Sequence, residues 1–190
     1  MFKRARLFVI SGPSGVGKDT LAGEILKSID GCERIVTATT RQPRQGEIDG
    51  INYWFLSEPD FDRRISEGGF LEWATVHGNR YGTPKEAVLR KLSEGISLIL
   101  AIDIQGAKTI REKMREAVTI FIAPPSFKEL ERRLRGRSTE CDSEVKARIK
   151  AAENEMREMD FYDFAVVNAS VRQATDELLQ IIESESGQKP

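Results

Sequence analysis

The chain has 190 residues, with 29 Lys and Arg against 30 Asp and Glu and a formal charge of −1 at pH 7. That length suits one domain with its own core, and 39% hydrophobic with 31% charged residues excludes a disordered or membrane chain. The charge balance argues against a dedicated nucleic-acid binder, the single histidine, His77, excludes Ser-His-Asp and His-metal chemistry, and Cys32 and Cys141 lack metal-ligand spacing and suit a reducing compartment.

The basic start Lys3-Arg4-Ala5-Arg6 precedes the apolar run Leu7–Ile10, which stops at Ser11-Gly12. A secretory signal needs about 7–15 apolar residues, so the run reads as a buried parallel strand and the chain as cytoplasmic. Asn168-Ala169-Ser170 matches a glycosylation sequon, but no secretory route is visible. Leu21, Ile25 and Ile29 mark one face of a helix closed by Gly31. Arg34–Thr39 reads as a β-branched strand, followed by a polar loop from Thr40 to about Ile51. Tyr53–Leu56 and Phe70–Val76 read as strands around a helix near Phe61–Glu67, whose approach Ser57-Glu58-Pro59-Asp60 resembles a capping sequence. A capping box, Thr83-Pro84-Lys85-Glu86, opens the next helix and Gly95 closes it.

Leu98–Ile102 is the most apolar stretch and predicts a central strand, and Val118–Ile122 predicts another. Ser126-Phe127-Lys128-Glu129 caps a helix to about Arg135, and a further helix runs from about Glu144 to Met159. Phe164–Val167 gives a last strand and Thr175–Ile182 a terminal helix. Strands alternating with helices predict an α/β fold with a parallel sheet, in which the crowded strands of about residues 34–92 form an inserted subdomain.

Gly12-Pro13-Ser14-Gly15-Val16-Gly17-Lys18 lies between the first strand and the first helix, the context of a phosphate-binding P-loop. Its glycines let backbone N–H groups converge on phosphate oxygens at a helix N-terminus, and Lys18 adds a mobile charge. The usual Ser or Thr after the lysine is Asp19 here, followed by Thr20. Two readings of Asp19 stand: a hard oxygen ligand for Mg²⁺, or an acid that favours the helix N-terminus electrostatically.

Further along, Thr37-Ala38-Thr39-Thr40-Arg41-Gln42-Pro43-Arg44 sets two arginines after a strand, with Tyr53 beyond them. Arginine forks and a tyrosine hydroxyl suit a phosphate, although arginines in loops are also ordinary solvated residues. Glu72 interrupts the apolar run Phe70-Leu71-Glu72-Trp73-Ala74 and needs a partner there. The two donors of a guanine edge would serve, and so would an internal salt bridge. Asp103 ends the Leu98–Ile102 strand at the edge where α/β sheets bind ligands.

With Gly12–Lys18, the Thr39–Glu47 and Phe70–Ala74 runs, Gly78-Asn79-Arg80-Tyr81-Gly82-Thr83 and Asp103-Ile104-Gln105-Gly106 in this order, the chain resembles guanylate kinase from Leu7 to about Leu179. The resemblance implies a P-loop kinase core (1–33, 93–125 and 149–190), a GMP-binding subdomain (about 34–92) and a helical lid (about 126–148). It implies phosphorylation of GMP, and of dGMP, by ATP with Mg²⁺, in a monomer or homodimer that binds neither nucleic acid nor membrane. Gly12 through Thr20 would hold ATP, with Asp19 toward the metal. Arg41, Arg44, Tyr53 and Tyr81 would hold the GMP phosphate, while Thr37, Glu72, Thr83 and Asp103 would read the guanine. Lys18, Arg41, Arg137 and Arg148 would neutralise the transferring phosphoryl group.

Where the family usually carries an acid in the strand before Asp103, this chain has Ala101. Together with Asp19, this suggests that the acidic charge near Mg²⁺ has moved from the strand to the P-loop. Two other classes share features of the sequence. A glycine-rich loop ending in Lys-Asp also resembles ribose 1,5-bisphosphate kinase, and guanylate-kinase-like domains also serve as non-catalytic interaction modules. Glu72 and Tyr81-Gly82-Thr83 favour guanine over the sugar, and the complete phosphate loop favours an enzyme.

Overall fold

In the computed structural model, which describes residues 4–76, 78–136 and 142–187 (side chains 143 and 144 left aside), the phosphate loop grows out of a fully buried strand. Strand β1 (Leu7–Ser11) leads into α1 (Lys18–Ser28) and β2 (Cys32–Arg34). Next come β3 (Ala38–Thr39), β4 (Trp54–Phe55), α2 (Glu58–Ser66), β5 (Phe70–Val76), β6 (Asn79–Pro84) and α3 (Lys85–Ser93). The chain continues with β7 (Ser97–Ala101), α4 (Ile104–Lys113), β8 (Val118–Ala123), α5 (Phe127–Arg135) and α6 (Asp142–Met156). A 3-10 turn at Met159–Phe161, β9 (Phe164–Val167) and α7 (Val171–Glu185) complete it.

Strands β2-β7-β1-β8-β9 form a parallel sheet in that order, with helices on both faces. Alternation along β1 explains the layers. Leu7 and Val9 pack with Leu98, Leu100, Ile110 and Phe121 on one face. Phe8 and Ile10 pack with Leu21, Ile25, Leu178 and Ile182 on the other. Burial of each such side chain stabilises the fold by about 1.5–3 kcal/mol, which is why these strands read as unbroken apolar runs. Beyond β2 the chain builds a second sheet, β4-β3-β6-β5, of mixed direction. Phe61 of α2 seals it against Phe70 and Ala38.

Several expected elements are corrected. The single strand over Arg34–Thr39 is two short strands in different sheets, because Arg34 pairs with β7 whereas Ala38 pairs with Trp54 and Gly82. The capping box at Thr83 does not form: Thr83 lies in β6 and its hydroxyl bonds Glu72, while Pro84 caps α3 without a side-chain bond. Strand β6 and helix α4 fall where no element is expected, and α4 is capped by Asp103, whose Oδ1 accepts from the Gln105 and Gly106 amides. Helix α7 starts at Val171 rather than Thr175, capped by the Ser170 hydroxyl. His77, Arg137 and Cys141 lie outside the described residues. Cys32 is half-buried, and burial pushes its thiol up to about 12, which disfavours the nucleophilic thiolate.

Candidate active site

The loop after β1 needs its glycines for space. Gly12 has φ +136°, and a Cβ there would lie 2.3 Å from the Ile122 carbonyl oxygen. Gly17 caps α1 at φ +102° with no side-chain hydrogen bond, which leaves the first amides of the helix to meet an anion. Lys18 folds back so that Nζ donates to the carbonyls of Gly12 (2.6 Å) and Pro13 (3.1 Å). The loop is also held from behind. Asn168 Nδ2 and Arg133 Nη1 both donate to the Val16 carbonyl, at 2.8 and 3.3 Å, and Arg133 Nη2 donates to the Asn168 carbonyl at 3.0 Å. Asn168 is thereby buried, so the sequon match does not lie on a surface loop.

A cleft of about 330 Å³ opens at the carboxyl ends of β1 and β7, between the P-loop and the second sheet. Of the residues singled out from sequence, it brings together Ser14, Lys18, Asp19, Thr37, Arg41, Arg44, Tyr53, Glu72, Tyr81, Asp103 and Arg148. Thr83 stands behind Glu72 rather than on the wall, and Thr20 is exposed outside the lining. Val76, Asn79, Gly82 and Ile102 also line it; their only sequence signal is their place in or beside the runs quoted above.

The acceptor side is a preorganised cationic face. Arg41 makes a two-pronged pair with Glu47, Nη1–Oε2 2.9 Å and Nη2–Oε1 2.8 Å, which raises the guanidinium pKa and lowers that of the carboxyl. The same Glu47 accepts from the Arg44 amide at 2.7 Å, fixing both arginines in one turn. Arg41 lies 5.4 Å from the Tyr53 ring, which meets Tyr81 edge-on at 6.0 Å. Burial pushes the Tyr53 hydroxyl up to about 12, keeping it a hydrogen-bond donor.

Glu72 is 2% exposed at the floor of this face. Thr83 Oγ1 donates to its Oε1, and a Cβ on Gly106 would lie 2.6 Å from its Oε2. Burial pushes the carboxyl up to about 7, against the Thr83 hydrogen bond, and the charge of Asp103 adds to the rise. The competing salt bridge does not form among the described residues: Lys113, whose charge acts on Glu72, donates its Nζ to the Leu71 carbonyl at 2.8 Å.

Helix α6 reaches the donor side from above. Arg148 Nη1 donates to Ser14 Oγ at 3.0 Å. Two turns on, Glu155 is half-buried within electrostatic reach of Lys18 and Asp103; burial raises its pKa, and Lys18 opposes the rise. The sequence carries no signal for Glu155, since an acid on a charged helix does not show what it faces. Asp19 Oδ1 accepts from Arg34 Nη2 at 2.6 Å. Among the described residues no group of three or more His, Cys, Asp or Glu assembles. Asp19 is nonetheless a hard oxygen donor on the cleft wall beside Lys18, which fits a Mg²⁺ carried chiefly by phosphates and water with one protein carboxylate.

A phosphate loop facing a second sheet that presents arginine, tyrosine and a buried acid across one cleft defines a P-loop phosphotransferase for small phosphate-bearing acceptors. The family model described as guanylate kinase matches residues 4–185. The chain belongs to the guanylate kinase family. It is 46% identical over 183 residues to a guanylate kinase of Caldanaerobacter subterraneus subsp. tengcongensis, covering 96% of this chain and 89% of that one. It is 44% identical to one of Clostridioides difficile with the same coverage. The crystal structure of guanylate kinase from Anaplasma phagocytophilum superposes with a TM-score of 0.82 at 34% identity, over 97% of this chain and 88% of that chain.

Proposed function

We propose that this enzyme transfers the γ-phosphoryl group of ATP to GMP. Glu72 carries the reading: a buried carboxylate on the acceptor wall, with no ion-pair partner among the described residues, matches the parallel N1–H and N2–H₂ donors of guanine. An oxygen of the GMP phosphate forms the new bond to the γ-phosphorus while the bond to the β-phosphate oxygen breaks and ADP leaves. The acceptor is already an anionic nucleophile, so the protein's task is to align reactants and neutralise charge.

In this reading Lys18 and the backbone N–H groups of the loop from Gly12 to Thr20, Pro13 excepted because it has none, hold the ATP phosphates. Arg41, Arg44, Tyr53 and Tyr81 hold the GMP phosphate, and Thr37, Glu72 and Asp103 read the base, with Thr83 acting through Glu72. Arg148, and Arg137 from the segment outside the described residues, complete the positive charge around the transferring group. Mg²⁺, when bound, shields the phosphate oxygens, and Asp19 is the protein carboxylate offered to it. The core, a GMP lobe of about residues 34–92 and a lid of about 126–148 close around the nucleotides and exclude water. dGMP is also a substrate, since it presents the same base and phosphate. No helix among the described residues is long and apolar enough to cross a membrane; we place the enzyme in the cytoplasm. A coupled assay offering ATP with GMP, dGMP, AMP or ribose 1,5-bisphosphate tests the proposal. GMP and dGMP turn over; preference for AMP or the sugar, or no turnover, overturns it.

A further inference from the structure

Asp19 occupies the P-loop position at which the general pattern has a hydroxyl for Mg²⁺. The replacement puts a full negative charge on the rim of a cleft built for phosphates. Two like unit charges about 4 Å apart repel by about 1 kcal/mol in water and by more where solvent is excluded. The structure pairs that charge with a cation fifteen residues along the chain. Arg34, the last residue of β2, donates Nη2 to Asp19 Oδ1 at 2.6 Å, tying the first turn of α1 to the strand that leaves the core sheet.

Stability does not explain the contact. The side chains are 29% and 66% exposed, and pairs so open to water contribute little. An acid in the first turn of a helix is favoured by the helix N-terminus with or without a partner from another strand. The location, by contrast, is specific. Asp19 lines the cleft, and both charges act on Tyr53 across it, Asp19 raising its pKa and Arg34 lowering it. Ala101, which lines the cleft at the end of β7, contributes no charge.

We infer that Asp19 and Arg34 form a matched pair that sets how strongly a divalent cation is coupled to nucleotide binding. Asp19 would offer its carboxylate to the cation, and Arg34 would limit the repulsion that the bare carboxylate exerts on phosphates. This rests on reading the cleft as the ATP site. Arg34 acts through Asp19 and is a positioning residue; it has no assigned contact with either substrate.

The two residues therefore have effects of opposite sign. The experiment measures ATP affinity by calorimetry with Mg²⁺ and with EDTA, for the wild type, Asp19→Asn, Arg34→Gln and Arg34→Lys, each checked for an unchanged melting temperature. The ratio of the two affinities is the coupling. Asp19→Asn binds metal-free ATP more tightly and lowers the coupling about fivefold. Arg34→Gln binds metal-free ATP more weakly and raises the coupling by about the same factor. Arg34→Lys keeps the charge and stays near the wild-type ratio. If Asp19→Asn and Arg34→Gln shift the ratio in the same direction, or leave it unchanged, the inference is wrong. If Arg34→Gln unfolds the protein, Arg34→Met, which keeps much of the side-chain bulk without the charge, is measured in its place and must raise the coupling. A wild type that binds no ATP, or gains nothing from Mg²⁺, would instead overturn the assignment of the nucleotide site.

Discussion

Glu72 and Thr83 stand in register across the β5–β6 pair, and the Thr83 hydroxyl donates to the Glu72 carboxylate at the floor of the cleft. The register puts an acid where burial resists its ionisation, beside a donor that partly offsets the cost.

The pair yields a pH dependence. Glu72 titrates at about 7, against 4.5 for an exposed glutamate. Between those values the folded chain keeps a proton that the unfolded chain has lost, so this group's contribution to stability falls as pH rises through that window and is level above it. Guanine needs the ionised acceptor, so KM for GMP falls as pH rises through about 7. Glu72→Gln abolishes both trends. It raises KM for GMP by about 10–100-fold, the cost of about 1–3 kcal/mol for mispaired buried donors. Denaturant titrations and initial rates across this range check both arms.

Gly106 is the second support of the same carboxylate. A methyl group there would sit 2.6 Å from Glu72 Oε2, so Gly106→Ala displaces the acid from its place over the start of α4. The expected result is a rise of about tenfold in KM for GMP, with KM for ATP little changed and a stability loss of about 1–3 kcal/mol from overpacking.

Glu47 sets the acceptor-phosphate side. It holds the Arg41 fork and the Arg44 amide together, so Glu47→Ala leaves both arginines charged but unaligned. KM for GMP rises by about tenfold, corresponding to the loss of about 1.4 kcal/mol of orientation. Steady-state kinetics at varied GMP measures it, with ATP binding as the unaffected control.

Asn168 tests the opposite wall. Its buried amide fixes the Val16 carbonyl from behind the P-loop, so Asn168→Ala costs about 1–3 kcal/mol of stability and weakens ATP binding while sparing GMP. Thermal melting and calorimetric titration with each nucleotide separate the two effects.

What could be read from the residues followed the physics of each segment. Leu7–Ile10 and Leu98–Leu100 are buried on both faces, and the glycine spacing before Lys18 answers to local geometry, so both are legible without tertiary information. The run 34–39 is not: its residues all favour extended backbone, and nothing local marks where the chain leaves one sheet for the other. Thr83 misled for a related reason. A hydroxyl before a proline and an acid looks like a helix cap, yet its partner is a glutamate on the neighbouring strand. Asp103 stands at a strand end, where the sequence shows only a ligand residue and conceals its second role as the cap of α4. Arg34 and Glu155 were invisible, because ion pairs and electrostatic contacts between distant segments leave no periodic trace.

The central claim is that Glu72 selects guanine as the base of the phosphoryl acceptor. The most direct measurement is the ratio of kcat/KM for GMP to that for AMP, in the wild type and in Glu72→Gln. Adenine presents an acceptor at N1 and no donor at C2, so it offers the carboxylate nothing. The wild type is predicted to favour GMP by several orders of magnitude, and the variant to lose about 10–100-fold of that preference through the GMP term alone. A ratio unchanged by the substitution, or a wild type that prefers AMP, would contradict the account.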